Sequence, residues 1–183
     1  MKPLKLALWI VLAVAQLAVP AWMIMGQERV LRDGRQIKLQ TRPVDPADLF
    51  RGRYVALGFA VEQVPRDRAP KAVEHDETVY LELREGPDGL AEAVALTKQK
   101  PTGELVLPVK VNFVGPETVG VELPFNRYYM DENAAPAAEV AYRDRAADVE
   151  SWVTVRILDG RAVIEELYIG GKPVREFLRE QSR

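Results

Sequence analysis

One uninterrupted apolar run near the N-terminus limits what this chain can fold into. The twenty residues 6–25 carry no charge, and Gln16 is their only strongly polar side chain. A helix rises about 1.5 Å per residue, so such a run crosses the roughly 30 Å of hydrocarbon in a bilayer. Trp9 and Trp22 lie towards its two ends, where indole rings favour the membrane interface. The run therefore predicts a membrane anchor that contacts lipid through residues 6–25, rather than a buried core helix.

A cleaved secretory signal is the alternative interpretation of the same run. Val19, Pro20 and Ala21 place small or branched side chains at the spacing that a signal peptidase accepts. Cleavage there would leave the apolar segment 22–25 at the new N-terminus. The run is also longer than the about 7–15 apolar residues of a typical signal. These two features favour an anchor that is retained.

Basic residues flank the run on both sides. Lys2 and Lys5 precede it, and five basic residues follow between positions 29 and 42. This balance weakens an orientation argument from the positive-inside rule. The leader is short and most of the chain follows the run, as in a signal-anchor with its N-terminus inside. We therefore expect a single-pass membrane protein whose soluble domain is extracytoplasmic.

The polar composition removes most familiar enzyme chemistries. The 183 residues include no Cys, which excludes disulfides, iron–sulfur centres and thiolate zinc sites. His75 is the only His, which excludes a zinc site with two histidines. Ser151 and Ser182 are the only serines that a Ser-His-Asp triad could use. Lys and Arg number 25 against 27 Asp and Glu, without the basic excess of nucleic-acid-binding proteins. The sequence predicts no catalytic residue, metal, cofactor or nucleic-acid partner.

The chain after the anchor is expected to be rich in β-strands. Residues 26–35 extend the first helix, with Gly34 as a stop signal, and residues 36–183 form one soluble domain. Apolar and polar side chains alternate with a period of two between turn signals. The segments with this pattern are 36–40, 53–64, 78–84, 90–96, 105–113, 118–123, 152–158 and 162–169. We expect a mainly β domain, an antiparallel barrel or sandwich of about eight strands, with one or two minor helices over 131–149 and 174–183.

The same alternation predicts the core, because every second side chain of a strand points to one face. Asp159-Gly160 is suited to a tight turn between the last two strands. The residues expected to share one core are Val55, Leu57, Phe59, Val79, Leu81, Leu83, Val153, Val155, Ile157, Val163 and Leu167.

Residues 43–59 (PVDPADLFRGRYVALGF) form a motif that covers a loop and the start of a strand. Its notable positions are Asp45, Asp48, Gly52, Arg53, Tyr54, Leu57 and Phe59. The passage resembles the signature of the GDYXXLXY family of bacterial membrane-anchored proteins. Gly52, Tyr54 and Leu57 occupy signature positions, whereas Arg53 replaces the Asp and Phe59 replaces the last Tyr.

The resemblance extends over nearly the whole chain. It includes the N-terminal apolar run, the later segment 125–129 (FNRYY) and the final hairpin that ends at residues 168–172 (YIGGK). The resemblance implies a membrane-anchored protein without an assigned activity. It also implies a partner among multi-spanning membrane proteins, because members often occur alongside them.

The polar residues of the motif have two interpretations. Asp45 and Asp48 could form a carboxylate pair for acid–base work or for a Ca²⁺-like cation, or they could fix turns by capping nearby backbone N–H groups. With no further ligand identifiable, capping is favoured. Arg53 cannot act as an acid, a base or a cation ligand, which favours a structural role for that signature position.

A second cluster of possible binding residues lies in the segment 125–129. Phe125, Arg127, Tyr128 and Tyr129 could form an aromatic patch that binds a sugar or a peptide. Aromatic strand residues also commonly pack the end of a barrel. Tyr54 is expected on the strand face opposite Val55, where it either packs or lines a surface groove.

Three functional hypotheses follow. The first is a non-enzymatic, membrane-anchored accessory module that works through protein contacts at the bacterial envelope. The second is a hydrolase that uses carboxylates or a Ser-Lys pair, with Ser151 as the candidate nucleophile. The third is a small-ligand or glycan-binding barrel. The anchor, the depleted catalytic inventory and the resemblance favour the first.

Overall fold

The N-terminal segment is one long helix that joins the domain directly. The computed structural model describes residues 3–42, 54–130 and 150–181, and helix α1 spans Pro3–Asp33. The helix stops at Gly34, whose N–H donates to the Val30 carbonyl over 2.9 Å. A Cβ at Gly34 would lie 2.4 Å from the Val30 carbonyl oxygen and 3.1 Å from that of Ile157. Only glycine therefore allows the backbone to pass this close to the domain.

The rest of the described chain is mainly β, as the alternation predicts. Twelve strands and a second helix follow α1: β1 (Arg35–Arg42), β2 (Tyr54–Ala56), β3 (Gly58–Phe59), β4 (Gln63–Pro65), β5 (Thr78–Glu85), β6 (Ala91–Thr97), β7 (Val106–Val114), β8 (Thr118–Glu122), β9 (Arg127–Tyr129), β10 (Ser151–Leu158), β11 (Arg161–Ile169), β12 (Lys172–Pro173) and α2 (Val174–Gln181).

The strands form two five-stranded sheets and a short ribbon. The first sheet has the order β12-β11-β10-β1-β3, the second has the order β4-β8-β7-β5-β6, and β2 pairs with β9. Neighbouring strands are antiparallel throughout these sheets. A parallel bridge between Lys38 and Leu90 connects the two sheets. Their inner faces contribute to one apolar core, so the antiparallel barrel or sandwich expected from the sequence is confirmed.

The segment predicted as one strand over 53–64 is divided in the structure. Its described part contains β2, β3 and β4, with a 3₁₀ turn at Ala60–Glu62 between the last two. Each piece has a different partner: β2 pairs with β9, β3 with β1 and β4 with β8. The chain therefore crosses between the sheets here, which alternation alone does not reveal. This division, together with β9 and β12, accounts for twelve strands instead of about eight.

The predicted core is correct at ten of its eleven positions and wrong at Val163, which is only half-buried. The pairing of β10 with β11 shifts at a β-bulge, because Thr154 pairs with Glu166 while Val155 pairs with Ile164. The extra residue reverses which side chains face inward. Ile164 therefore packs against the core in place of Val163.

The two predicted helices of the domain have different outcomes. Helix α2 forms at the C-terminus and buries Val174 completely, with Phe177 and Leu178 half-buried against the core. The helix predicted over 131–149 lies outside the described residues. The predicted tight turn also forms, with Asp159 and Gly160 both at positive φ (53° and 82°) between β10 and β11.

Candidate functional site

The apolar positions of the family-like motif belong to the core. Leu57 is buried, and its N–H donates to the Asn126 carbonyl over 2.9 Å, which ties the motif to the segment before β9. Phe59 is fully buried, and its ring meets the ring of Phe125 edge-on at 5.5 Å between centroids. These contacts give Leu57 and Phe59 a structural role.

Tyr54 lies on the opposite face of the motif strand, as the alternation predicts. It pairs with Tyr129 across β2 and β9, and their rings meet at an interplanar angle of 60° with centroids 5.7 Å apart. The guanidinium carbon of Arg127 lies 5.0 Å from the centre of the Tyr54 ring, a cation–π distance. Tyr54, Arg127 and Tyr129, here called the Tyr54 cluster, form an aromatic and basic surface on this ribbon.

The structure divides the aromatic patch expected from the segment 125–129. Arg127 and Tyr129 point outward and join the Tyr54 cluster, whereas Tyr128 is buried between them and Phe125 packs against the core. The reason is strand geometry, because successive side chains of β9 point to opposite faces. The four residues therefore do not form one binding surface.

Tyr128 makes a partly buried polar contact with the first sheet. Its hydroxyl donates to Oε1 of Glu166 over 2.5 Å. Burial raises the pKa of the Tyr128 phenol well above its usual value, and the hydrogen bond to Glu166 acts in the same direction. The phenol thus remains a donor, and the contact links the β2–β9 ribbon to β11.

Glu62 is a buried carboxylate that the sequence analysis missed. Oε2 accepts the Phe59 N–H over 2.9 Å, Oε1 accepts the Leu123 N–H over 3.4 Å, and Arg42 lies 3.8 Å away. Burial raises the pKa of Glu62 even though these three partners lower it. The signal in the sequence is a Glu three residues after the start of a turn, the spacing of a capping box. Its place between β3 and the end of β8 gives it a structural role.

The side chains considered as catalytic candidates are either hydrogen-bonded inside the domain or exposed to solvent. Ser151 begins β10 but is buried, and its Oγ accepts a hydrogen bond from Thr41 over 2.8 Å. His75 is exposed beside Asp76, with Nδ1 3.3 Å from the carboxylate. Within residues 3–42, 54–130 and 150–181, no group of His, Asp and Glu side chains could hold a metal ion. Every buried side-chain nitrogen or oxygen in those ranges has a hydrogen-bond partner. Asp45, Asp48, Gly52 and Arg53 lie outside the described residues.

Helix α1 presents an apolar surface that the domain does not cover. Its segment Ala7–Asp33 is long and apolar enough to cross a membrane; the most apolar 18-residue window in it has a mean hydropathy of 2.1, and none of that window is buried. Leu17 is 73% exposed and Trp22 is 79% exposed. The helix enters the domain only at its C-terminal end, where Val30 is buried.

The model of the GDYXXLXY protein family matches residues 16–167, which is well over half of the chain. The chain belongs to the GDYXXLXY family. Comparison with curated proteins and with solved structures finds no match. Among the described signature positions of this GDYXXLXY protein, Leu57 and the substituted Phe59 are core residues, whereas Tyr54 is half-buried on the outer face of its strand. Phe59 needs no hydrogen-bond partner in its buried position, which a Tyr there would require.

Proposed function

We propose that this GDYXXLXY protein is a single-pass, membrane-anchored accessory module of the bacterial envelope, without catalytic activity, that works with a multi-spanning membrane protein. The observation that carries the proposal is the bare apolar surface of α1. Exposure of the apolar side chains of residues 6–25 to water would cost free energy, at about 25 cal/mol per Å² of apolar surface. Lipid tails or the helices of a membrane partner would remove that cost.

The inventory of the domain supports a role without catalysis. Ser151 is engaged with Thr41, which counts against a Ser-Lys hydrolase. The buried carboxylate of Glu62 receives two backbone N–H groups, as expected of a group that stabilises the fold. The polar groups inside the described domain thus satisfy one another rather than converge on a substrate.

Fractionation tests whether the anchor is retained. Full-length protein should sediment with membranes, resist extraction by high salt or alkaline carbonate, and show the intact mass of the whole chain. A soluble species whose mass begins near Trp22 would contradict the proposal, because that product indicates a cleaved signal. A chain released by carbonate would contradict it as well.

The absence of Cys makes the orientation measurable with single introduced thiols. Glu117 is exposed between β7 and β8. Glu117→Cys should therefore react with a membrane-impermeant maleimide in cells whose outer membrane or cell wall has been permeabilised while the inner membrane is intact. Lys2→Cys in the leader is the matched control and should react only after the inner membrane is lysed. The reverse pattern would place the domain in the cytoplasm.

The partner is tested by crosslinking from the anchor itself. A photoreactive residue at Leu17, which is exposed on α1, should crosslink to a multi-spanning membrane protein in intact membranes. The same residue at the exposed Glu92 of β6 is the control for contacts of the domain. Crosslinks to lipid alone from every exposed position along α1 would contradict a partner that binds the helix.

The Tyr54 cluster favours a second candidate function, the binding of a glycan or another small ligand. An exposed phenol ring beside a guanidinium is a common surface for a sugar. Tyr129→Ala should then abolish binding to cell-wall glycan fragments, while the control Tyr80→Ala, at a half-buried position on β5, should not. Absence of any binding by the full-length protein would eliminate this candidate.

A further inference from the structure

A groove lies between α1 and the turn that joins β10 to β11. Its volume is about 500 Å³. The side of the helix contributes Trp22, Met25 and Arg29, and the turn contributes Asp159 and Arg161. The groove is thus apolar beside Trp22 and Met25, while the rest of its lining carries two guanidinium groups and one carboxylate.

The two guanidinium groups line the groove from different elements. Nη1 of Arg161 lies 3.4 Å from the position that a Cβ of Gly26 would occupy, so the glycine leaves room for the Arg161 side chain against the helix. Arg29 lies three residues after Gly26 and therefore on the same side of α1. Both arginines are exposed, and Arg29 also interacts electrostatically with Asp33, one turn further along α1. Two positive charges and one negative charge leave the groove with a net charge of +1.

The position of the groove along the helix indicates which ligand it meets. If α1 spans the membrane as proposed above, Arg29 lies four residues beyond Met25, where the apolar run 6–25 ends, or about 6 Å along the axis. That level is the headgroup layer, where phospholipid phosphates are concentrated and basic side chains bind them. Met25, which is 70% exposed, and Trp22 face the hydrocarbon side of the same groove.

We propose that this groove binds the headgroup of phosphatidylglycerol. Arg29 and Arg161 contact the phosphate oxygens, which guanidinium groups recognise through paired N–H donors. Trp22 and Met25 pack against the first part of an acyl chain. The carboxylate of Asp159 accepts a hydrogen bond from a hydroxyl of the headgroup glycerol. The net charge of +1 in the groove complements the single negative charge of this lipid. The lipid would thereby fix the domain against the membrane surface.

Native mass spectrometry of the full-length protein in detergent tests the lipid. Phosphatidylglycerol, phosphatidylethanolamine and phosphatidylcholine are added separately at equal concentration. We expect one retained phosphatidylglycerol, bound at least tenfold more tightly than either of the other two. Equal retention of the zwitterionic lipids would overturn the proposal, as would displacement of the lipid by sn-glycerol 3-phosphate at the same concentration.

Substitutions of the groove residues test where phosphatidylglycerol binds. Arg29→Gln and Arg161→Gln should each weaken phosphatidylglycerol retention at least tenfold, with the thermal unfolding of the domain unchanged because both side chains are exposed. Lys71→Gln, in the loop between β4 and β5, removes the same charge elsewhere and should leave retention unchanged. Gly26→Leu keeps every charge but fills the space beside Arg161, and it should also weaken retention. Wild-type retention by both arginine variants, or an equal loss in Lys71→Gln, would overturn the site.

Flotation with phosphatidylcholine vesicles separates this inference from the proposed function. Protein that floats with these vesicles but shows no preference for phosphatidylglycerol would overturn the groove and leave the anchor standing. Protein that does not float with any vesicle would overturn the anchor, and the lipid site with it.

Discussion

Helix α1 and the β-domain place their apolar side chains in opposite ways. The domain turns its apolar residues inward from two sheets, so that Leu39, Leu81 and Leu107 are fully buried. The helix leaves Leu17, Trp22 and their neighbours exposed around its whole circumference. The domain also admits polar groups to its interior where each has a partner, whereas the apolar run of α1 contains no charged group at all.

The difference fits the proposed placement of α1 in lipid and of the domain in water. A sheet with one buried face and one polar face is stable in water, because the apolar face is covered and the other is hydrated. A helix that is apolar on all sides leaves most of its apolar surface uncovered if only one side packs, so it suits the core of a membrane. Helix α2 supports this reasoning, since its apolar residues lie on one side and pack against the domain.

The largest expected effect comes from charges in the helix. Val14→Arg combined with Leu17→Arg should move the chain out of the membrane fraction, because a charge near the centre of a span costs about 2.5–3.5 kcal/mol. The double change Gln99→Arg and Thr102→Arg adds the same charge to an exposed loop of the domain and should leave the membrane fraction unchanged. Fractionation with alkaline carbonate measures both. Membrane retention of the Val14 and Leu17 double variant would remove the distinction between the two regions.

A truncation of one leucine in each region gives the next largest contrast. Leu39→Ala opens a cavity in the core and should lower the free energy of unfolding by about 3 kcal/mol. Leu17→Ala, a position 73% exposed, should leave the unfolding of the domain unchanged. Thermal unfolding of the detergent-solubilised chain measures both variants. Equal destabilisation would mean that the helix packs against the domain over its whole length.

Local patterns in the sequence predict most of this contrast. The uncharged run predicts α1, and the alternation of side chains predicts the sheets and ten of eleven core residues. Gly34 and Asp159-Gly160 predict a helix end and a turn because their backbone requirements are local. The bulge that excludes Val163 is not predicted, because it depends on how β11 pairs with β10.

The residues at the candidate site depend more strongly on non-local contacts. Tyr54 and Tyr129 meet only because β2 pairs with β9, and that pairing joins segments more than seventy residues apart. The segment 125–129 was expected to form one patch, but the strand β9 divides it between two faces. Glu62 is buried because the chain crosses between sheets at that point, which no periodicity of the segment indicates.

The removal of a single hydrogen-bonding atom inside the domain should lower its free energy of unfolding. Tyr128→Phe removes the hydroxyl that donates to Glu166 and should lower the free energy of unfolding by about 2 kcal/mol, as for a hydrogen bond to a charged group. Tyr129→Phe, on the same strand but exposed, should change it by less than about 0.5 kcal/mol. Denaturant unfolding of the full chain compares them. An equal loss in the free energy of unfolding of both variants would show that the effect of removing the hydroxyl does not depend on its burial.

The smallest expected effect is a pH-dependent one at Glu62. Because burial raises the pKa of Glu62 in the folded protein, the unfolded chain ionises first as the pH rises. The contribution of Glu62 to stability is therefore fully present below its unfolded pKa and is lost as the pH rises through the folded pKa. Glu62→Gln cannot ionise, and it keeps an oxygen that can accept the Phe59 N–H. The Tm of the wild-type chain relative to Glu62→Gln should accordingly fall as the pH rises above the ordinary glutamate pKa of 4.5. All other titrating groups are common to both chains and cancel in the difference. A difference that rises with pH would mean that Arg42 and the two N–H groups stabilise the charge more than burial disfavours it.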